Sequence, residues 1–238
     1  MLKKYSGNLG TFEYNTDEYE IKEIFGSEKL HYIGTGENVT LPKGCIDCSF
    51  LFLQYSGNRL DLSKFRTTGV VSMEAMFSTC NVESLDLHTF DTSSVKTFRM
   101  MFSSDIRLKY LDISSFDVSN SDNFQFMFYN CVSLEFLDLS NMCIDKDTSN
   151  IETLMLDCKS LKAIILPSVN KNMVEGCISD ATYRLLSTIS SCKNLKYLIV
   201  DDSLKITEKY TGNYINDFNL EGLCKGLDSS DISVSILY

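Results

Sequence analysis

The 238-residue chain has no tryptophan, two prolines and two histidines. With so little proline and no biased tract, composition excludes a proline-rich linker or a low-complexity segment, and the chain reads as folded throughout. No segment approaches the eighteen or so uninterrupted apolar residues of a membrane helix. The N-terminal MLKKYSGNLGTFEYNTDEYE carries two lysines but no apolar run after them, which is not the pattern of a signal peptide or an anchor. His31 and His88 are too few and too far apart to set a base beside a nucleophile. Phosphate loop, dinucleotide-binding glycine turn, nucleophile elbow and zinc-protease pattern are all missing. The expectation is a protein that is not an enzyme and that takes no cofactor and no metal. Positive charge is scarce as well: 22 basic residues against 32 acidic ones give a net charge of −10. That balance argues against a polyanion such as DNA, or an anionic membrane surface, as the direct partner.

What the chain has in abundance is one sentence repeated. SLDLHTFDTSSVKTFRMMFSSDIRLKY is followed at once by LDISSFDVSNSDNFQFMFYNCVSLEF, and LDLS opens another copy. The leading leucines Leu60, Leu85, Leu111 and Leu137 are 25, 26 and 26 residues apart. A sustained period of this length is the signature of a repeat architecture. Each copy opens with an alternation, Leu85-Asp86-Leu87-His88 or Leu111-Asp112-Ile113-Ser114, which predicts a short strand with leucines inward and Asp and Ser or His outward. A Phe follows (Phe65, Phe90, Phe116; Met142 in the fourth copy), then a Ser/Thr/Asn-rich turn. Apolar trios come next: Met73, Met76 and Phe77; Phe98, Met101 and Phe102; Phe124, Met127 and Phe128. Their i, i+3, i+4 spacing predicts one face of a short helix. Neither element closes a core alone, so copies are expected to stack.

The LDLHTFDTSSV pattern, with MMF about ten residues later and Cys80, Cys131 or Cys158 closing the copy, resembles the BspA-like family of bacterial leucine-rich repeats. The likeness is specific from Leu60 to Cys158 and degenerate from Ser160 to Val200. It implies an α/β leucine-rich-repeat solenoid, with a parallel sheet on one face and short helices or turns on the other. It also implies protein binding or adhesion at a cell surface.

Residues 1–44 lie outside the repeat and are read as a β-rich N-terminal cap. Thr11 to Tyr14 are expected to pair with Tyr19 to Ile21, and His31 to Gly34 with Val39 to Leu41. The repeats span 45–203, and 204–238 is read as a C-terminal cap. Later copies lengthen, Ile164 following Leu137 by 27 residues and Leu198 following Ile164 by 34. The surplus contains SDATYRLLSTISSC, whose Tyr183, Leu186 and Ile189 have helical spacing, with Ser179 or Asp180 as its cap. A turn at TGNY, a helix near Leu220 to Leu227 and a last strand in ISVSILY complete the chain.

Nine cysteines are many for this length. Cys80, Cys131, Cys158 and Cys192 share one repeat position, which reads as a small buried hydrophobe with a reduced thiol. Cys45-x-x-Cys48 has no second pair or histidine motif to complete a zinc site, and it enters a repeat rather than opening a helix after a strand as a redox pair does.

Two outward features are candidates for binding another protein. Asp61, Asp86, Asp112 and Asp138 form a ladder at one strand position, read either as a grip for a cation or a basic partner or as local caps of backbone N–H groups on a solvated face. Beyond the ladder the same face turns aromatic and aliphatic, with Tyr110, Phe136, Ile165, Tyr197 and Ile199, a patch that either marks an interaction site or is covered by another part of the chain. The leading expectation is a cytoplasmic, non-enzymatic interaction module that binds a partner protein through its sheet face. Two alternatives stand beside it. One is an inhibitor encoded by a phage or mobile element, an anti-CRISPR or anti-restriction protein whose acidic face blocks a host defence protein. The other is a cell-surface or secreted adhesin whose leader was removed.

Overall fold

The structure is a computed structural model that describes residues 1–142, 151, 153–166, 188, 189, 191–201 and 233–237. Two antiparallel hairpins come first: β1 (Leu2–Gly7) with β2 (Gly10–Asn15), and β3 (Tyr19–Ile24) with β4 (Ser27–Tyr32). The later strands are parallel, and the first four of them are only two or three residues long. β5 (Ser84–Leu85) pairs with β6 (Tyr110–Leu111), while β7 (Phe136–Asp138), β8 (Ala163–Ile165), β9 (Tyr197–Asp201) and β10 (Ser233–Leu237) form a second sheet in that order.

The expected α/β leucine-rich-repeat solenoid is not what this chain forms. The described residues are nearly all β strand and turn, in four separate sheets, and no residue of 1–142 is helical. Both departures have local causes. β5, β6 and β7 stop after two or three residues where the carboxylate of Asp86, Asp112 or Asp138 takes the N–H two positions on, removing it from the sheet. The helices fail because each copy places two residues in the left-handed region four apart: Ala75 and Thr79 at φ 50° and 56°, Met100 and Ser104 at 58° and 61°, Phe126 and Asn130 at 60° and 58°. A left-handed residue cannot continue a right-handed helix.

Turns take the place of those helices. Met73, Ala75, Phe77 and Thr79 donate their N–H groups to Thr97, Arg99, Met101 and Ser103 of the next copy. Between them Met76, Ser78 and Cys80 donate three residues back, to Met73, Ala75 and Phe77. Phe98, Met100, Phe102 and Ser104 repeat the donation toward Asn123, Gln125, Met127 and Tyr129. Every one of these inter-copy bonds points the same way along the chain, and together they satisfy the backbone that a helix would have satisfied internally.

Among the described residues, the leucines that lead each copy, the phenylalanines after them and the Met-Phe trios are buried as expected. Phe77 and Phe102 stack at 5.7 Å with ring planes 1° apart, and Phe102 and Phe128 at 5.7 Å and 4°. A second column runs from Phe65 to Phe90 at 5.5 Å and on to Phe116 at 6.4 Å. Offset ring pairs of this kind contribute roughly 0.5–1.5 kcal/mol each beyond the area they bury.

The N-terminal strands pair differently from expectation. Thr11 to Tyr14 and Tyr19 to Ile21 are strands, but each folds on a nearer neighbour, and Val39 to Leu41 is not a strand. The turns are Asn8-Leu9 and Phe25-Gly26, the latter with φ of 50° and 78°, a left-handed pair suited to a two-residue hairpin. These hairpins pack on the first copy: Tyr32 N–H donates to the Leu51 carbonyl at 2.8 Å and its ring meets Phe52 at 5.3 Å. The strand expected at ISVSILY is β10, parallel to β9. The helix expected at 179–192 lies outside the described residues except for Thr188 and Ile189, which are helical, and for Ser191 and Cys192. The turn at TGNY and the helix near 220–227 lie outside them entirely.

Candidate functional site

Three outward columns meet on the face formed by the short parallel strands. The first is the aspartate ladder. Asp61, Asp86, Asp112 and Asp138 each accept, through Oδ1, the N–H of the residue two positions on: Ser63 at 3.1 Å, His88 at 3.2 Å, Ser114 at 2.9 Å and Ser140 at 2.8 Å. Asp47, Asp91 and Asp117, elsewhere in the copy, use the same device on Ser49, Ser93 and Ser119. Turn formation therefore accounts for the aspartate at this position whatever else it does. Side-chain bonds to Ser63, His88 and Ser114, reinforced by those backbone bonds, hold the carboxyls of Asp61, Asp86 and Asp112 below the usual range. The neighbouring carboxylates push the other way, Asp61 on Asp86 and Asp86 on Asp112, which shows that the ladder is close enough for its charges to be felt.

The second column starts two residues earlier in each strand. Ser84 is in register with Tyr110, and Phe136 with Ala163 and then Tyr197. Tyr110, Phe136 and Tyr197 are 64%, 42% and 51% exposed, while Leu85, Leu111 and Leu137 between the columns are buried. Alternation about buried leucines is what turns these rings outward. In the aspartate column Asp138 is followed in register by Ile165 and Ile199, so the change from carboxylate to aliphatic residues occurs between β7 and β8. Ile165 is half-buried.

A charged column lies one residue before the aromatic one. Glu83 holds Arg107 at 2.8 Å and Lys109 at 3.4 Å, and Glu135 holds Lys162 at 2.6 Å. Backbone bonds from Lys109 to Glu83, from Glu135 to Lys109, from Lys162 to Glu135 and from Lys196 to Lys162 tie this column together. These pairs are exposed and screened by solvent, so their effect is on the potential of the face more than on stability.

The match to known families covers this same stretch. A family model matches residues 46–165, from the first copy to β8. The chain belongs to the family described as Mycoplasma protein of unknown function, DUF285. No curated protein and no solved structure matches the chain. The DUF285 stretch thus holds the turn ladders, the whole aspartate ladder, Tyr110, Phe136 and Ile165, whereas Tyr197 and Ile199 fall beyond it.

The six described cysteines behave as buried hydrophobes. Cys45, Cys48, Cys80, Cys131, Cys158 and Cys192 are all buried and free. Burial pushes the Cys192 thiol up to about 12 and raises those of Cys48 and Cys80; interaction with the Cys158 thiol, then burial, raises that of Cys131. Cys131 and Cys158 donate their thiols to the carbonyls of Phe102 and Phe128 in the preceding copies, each at 3.0 Å. No cluster of metal-ligating side chains occurs among the described residues, and none of their helices is long and apolar enough to cross a membrane.

One polar residue in this column went unread in the sequence. Asp105 sits where neighbouring copies have Cys80 and Cys131, and it is fully buried. One oxygen accepts the Cys80 N–H at 2.6 Å and the other has no hydrogen-bond partner. Burial in this apolar surround raises its carboxyl well above the usual range. The period would have found it, because residue 105 is 25 positions after Cys80 and 26 before Cys131.

Proposed function

We propose that this DUF285 protein is a non-enzymatic binding module that engages a partner protein through the face of its short parallel strands. The observation that carries the reading is the set of exposed rings Tyr110, Phe136 and Tyr197, the last two in register across Ala163 and Tyr110 on the neighbouring strand pair, whose Lys109 carbonyl accepts the Glu135 N–H. Large apolar rings gathered on one rigid face are characteristic of interaction sites, and aromatic anchors dominate the energetics of such sites. The likeness of the repeat motif to BspA-like sequences, whose usual association is protein binding, supports the same reading. The net charge of −10 favours a partner with a basic surface and disfavours direct contact with nucleic acid.

Capture of partners from a lysate of the source cell, at low and at high salt, tests this. Wild-type protein is expected to hold a protein partner that survives high salt and is lost with Tyr110→Ala, Phe136→Ala or Tyr197→Ala. A partner kept by all three variants overturns the reading. So does one released by salt and by joint neutralisation of Asp61, Asp86, Asp112 and Asp138, an outcome that points instead to the acidic face of an inhibitor.

A further inference from the structure

The ring column has a gap in it. Register places Ala163 of β8 between Phe136 of β7 and Tyr197 of β9, so the two exposed rings flank a residue with only a methyl group. Adjacent strands are about 4.8 Å apart, which sets the two ring-bearing positions roughly 9.6 Å apart. A flat group in van der Waals contact with a ring on either side needs about 7–8 Å. The notch therefore admits one planar group edge-on and excludes a second.

The charge around the notch selects among planar groups. Asp138 lies two residues after Phe136 in the same strand, on the same side of the sheet, with Oδ1 bonded to the Ser140 N–H at 2.8 Å. Glu135 immediately precedes Phe136, and its carboxylate is shared with Lys162 at 2.6 Å. On the far side the Asp138 column continues as Ile165 and Ile199. The notch is thus bordered on one side by the Asp138 carboxylate and the half-buried Ile165, and on the other by Glu135, Lys162 and Lys196. A guanidinium suits the rings and the Asp138 carboxylate: it is planar, always charged, weakly hydrated enough to stack on rings, and pairs with carboxylates. An ammonium group carries the charge but cannot stack, and a phenyl ring stacks but leaves the carboxylate unanswered.

Resting on the reading of this face as the binding surface, we infer that the Phe136–Ala163–Tyr197 notch receives an arginine side chain from a basic segment of the partner protein, with Asp138 as its counter-ion. Ala163 is then a specificity residue, since its small size keeps the slot open.

Binding of fluorescent peptides to the full chain tests the assignment, using a twelve-residue Gly-Ser-Arg repeat and counterparts with lysine or phenylalanine in place of arginine. The arginine peptide is expected to bind about five-fold or more tightly than either counterpart. Ala163→Leu, which fills the slot, should bring it down to the level of the lysine peptide, while Glu23→Gln, an exposed position on β3 away from this face, leaves it unchanged; thermal melts check that each variant is folded. Equal binding of arginine and lysine peptides, equal binding of the phenylalanine peptide, no binding of the arginine peptide at millimolar concentration, or indifference to Ala163→Leu each overturns the inference. If the inference fails while Phe136→Ala still releases the partner protein, the binding face stands without the arginine slot; if both fail, the face itself is wrongly assigned.

Discussion

Asp105 accepts the backbone N–H of Cys80 at 2.6 Å from the very position that the neighbouring copies fill with cysteine. The same N–H also donates to the Phe77 carbonyl at 2.9 Å, so the aspartate is not its only partner. A buried carboxyl with one unbonded oxygen costs about 1–3 kcal/mol. Asp105→Cys restores the side chain used at 80, 131, 158 and 192 and should raise stability at neutral pH by about that amount, measured by urea denaturation. The pH dependence has a definite sign. A carboxyl raised above its ordinary 3.8 by folding binds its proton more tightly in the folded state. Its contribution is therefore complete below pH 3.8 and is lost as pH rises from there toward the folded value, by at most about 1.4 kcal/mol per unit. The advantage of Asp105→Cys over wild type should shrink as pH falls toward 4.

His31 supplies the opposite slope. Its ring is half-buried, with Nδ1 at 3.3 Å from the Phe50 carbonyl, and burial lowers its pKa from 6.5, aided by Lys22. The folded state then binds fewer protons than the unfolded one, so stability is complete above about pH 6.5 and falls as pH drops below it. His31→Gln keeps a donor for the Phe50 carbonyl without titrating. Its Tm, followed by circular dichroism between pH 7.5 and 5, should fall less than that of wild type.

Thr79 is β-branched and exposed at φ 56°, at the place where later copies put Ser104 and Asn130. A left-handed conformation costs a β-branched residue roughly 1–2 kcal/mol, and asparagine tolerates it better. Thr79→Asn should stabilise by about 0.5–1 kcal/mol despite the loss of the Thr79 hydroxyl bond to the Ser78 carbonyl. A shift of the urea midpoint to higher concentration with unchanged slope is the expected result.

Phe102 lies between Phe77 and Phe128 in the stacked column. Phe102→Ala should destabilise by about 3–5 kcal/mol, because it removes a fully buried ring and leaves a cavity between two others. Phe102→Leu should lose less than half of that. Calorimetric melts of the two variants order them, and equal losses would mean that the ring itself, rather than the volume it fills, carries the stability.

Much of the core was legible in the sequence because side-chain periodicity records only which residues face inward. Leu60, Leu85, Leu111 and Leu137, the phenylalanines after them and the Met-Phe trios are all buried. The backbone between them was not legible. Met73, Met76 and Phe77 have helical spacing, yet their inward direction comes from turns around left-handed Ala75, a conformation that no single side chain here announces. The N-terminal pairing was misread for a related reason: a turn at Phe25-Gly26 puts a bulky residue where asparagine is usual. Of the site, the aspartate ladder and the ring positions followed from the period, while the buried carboxyl at 105 was passed over as one acidic residue among many.

By itself the sequence determined the repeat length, the inward set and the two outward columns, since these follow from a period and an alternation carried in the order of residues. Only the tertiary structure decided three things: that left-handed turns replace helices, that Asp86, Asp112 and Asp138 close β5, β6 and β7 by capping the N–H two residues on, and that Ala163 stands between Phe136 and Tyr197. The physical reason is the same in each case. Backbone hydrogen bonds between neighbouring copies and strand register depend on how one copy meets the next, and that contact is written in no single copy.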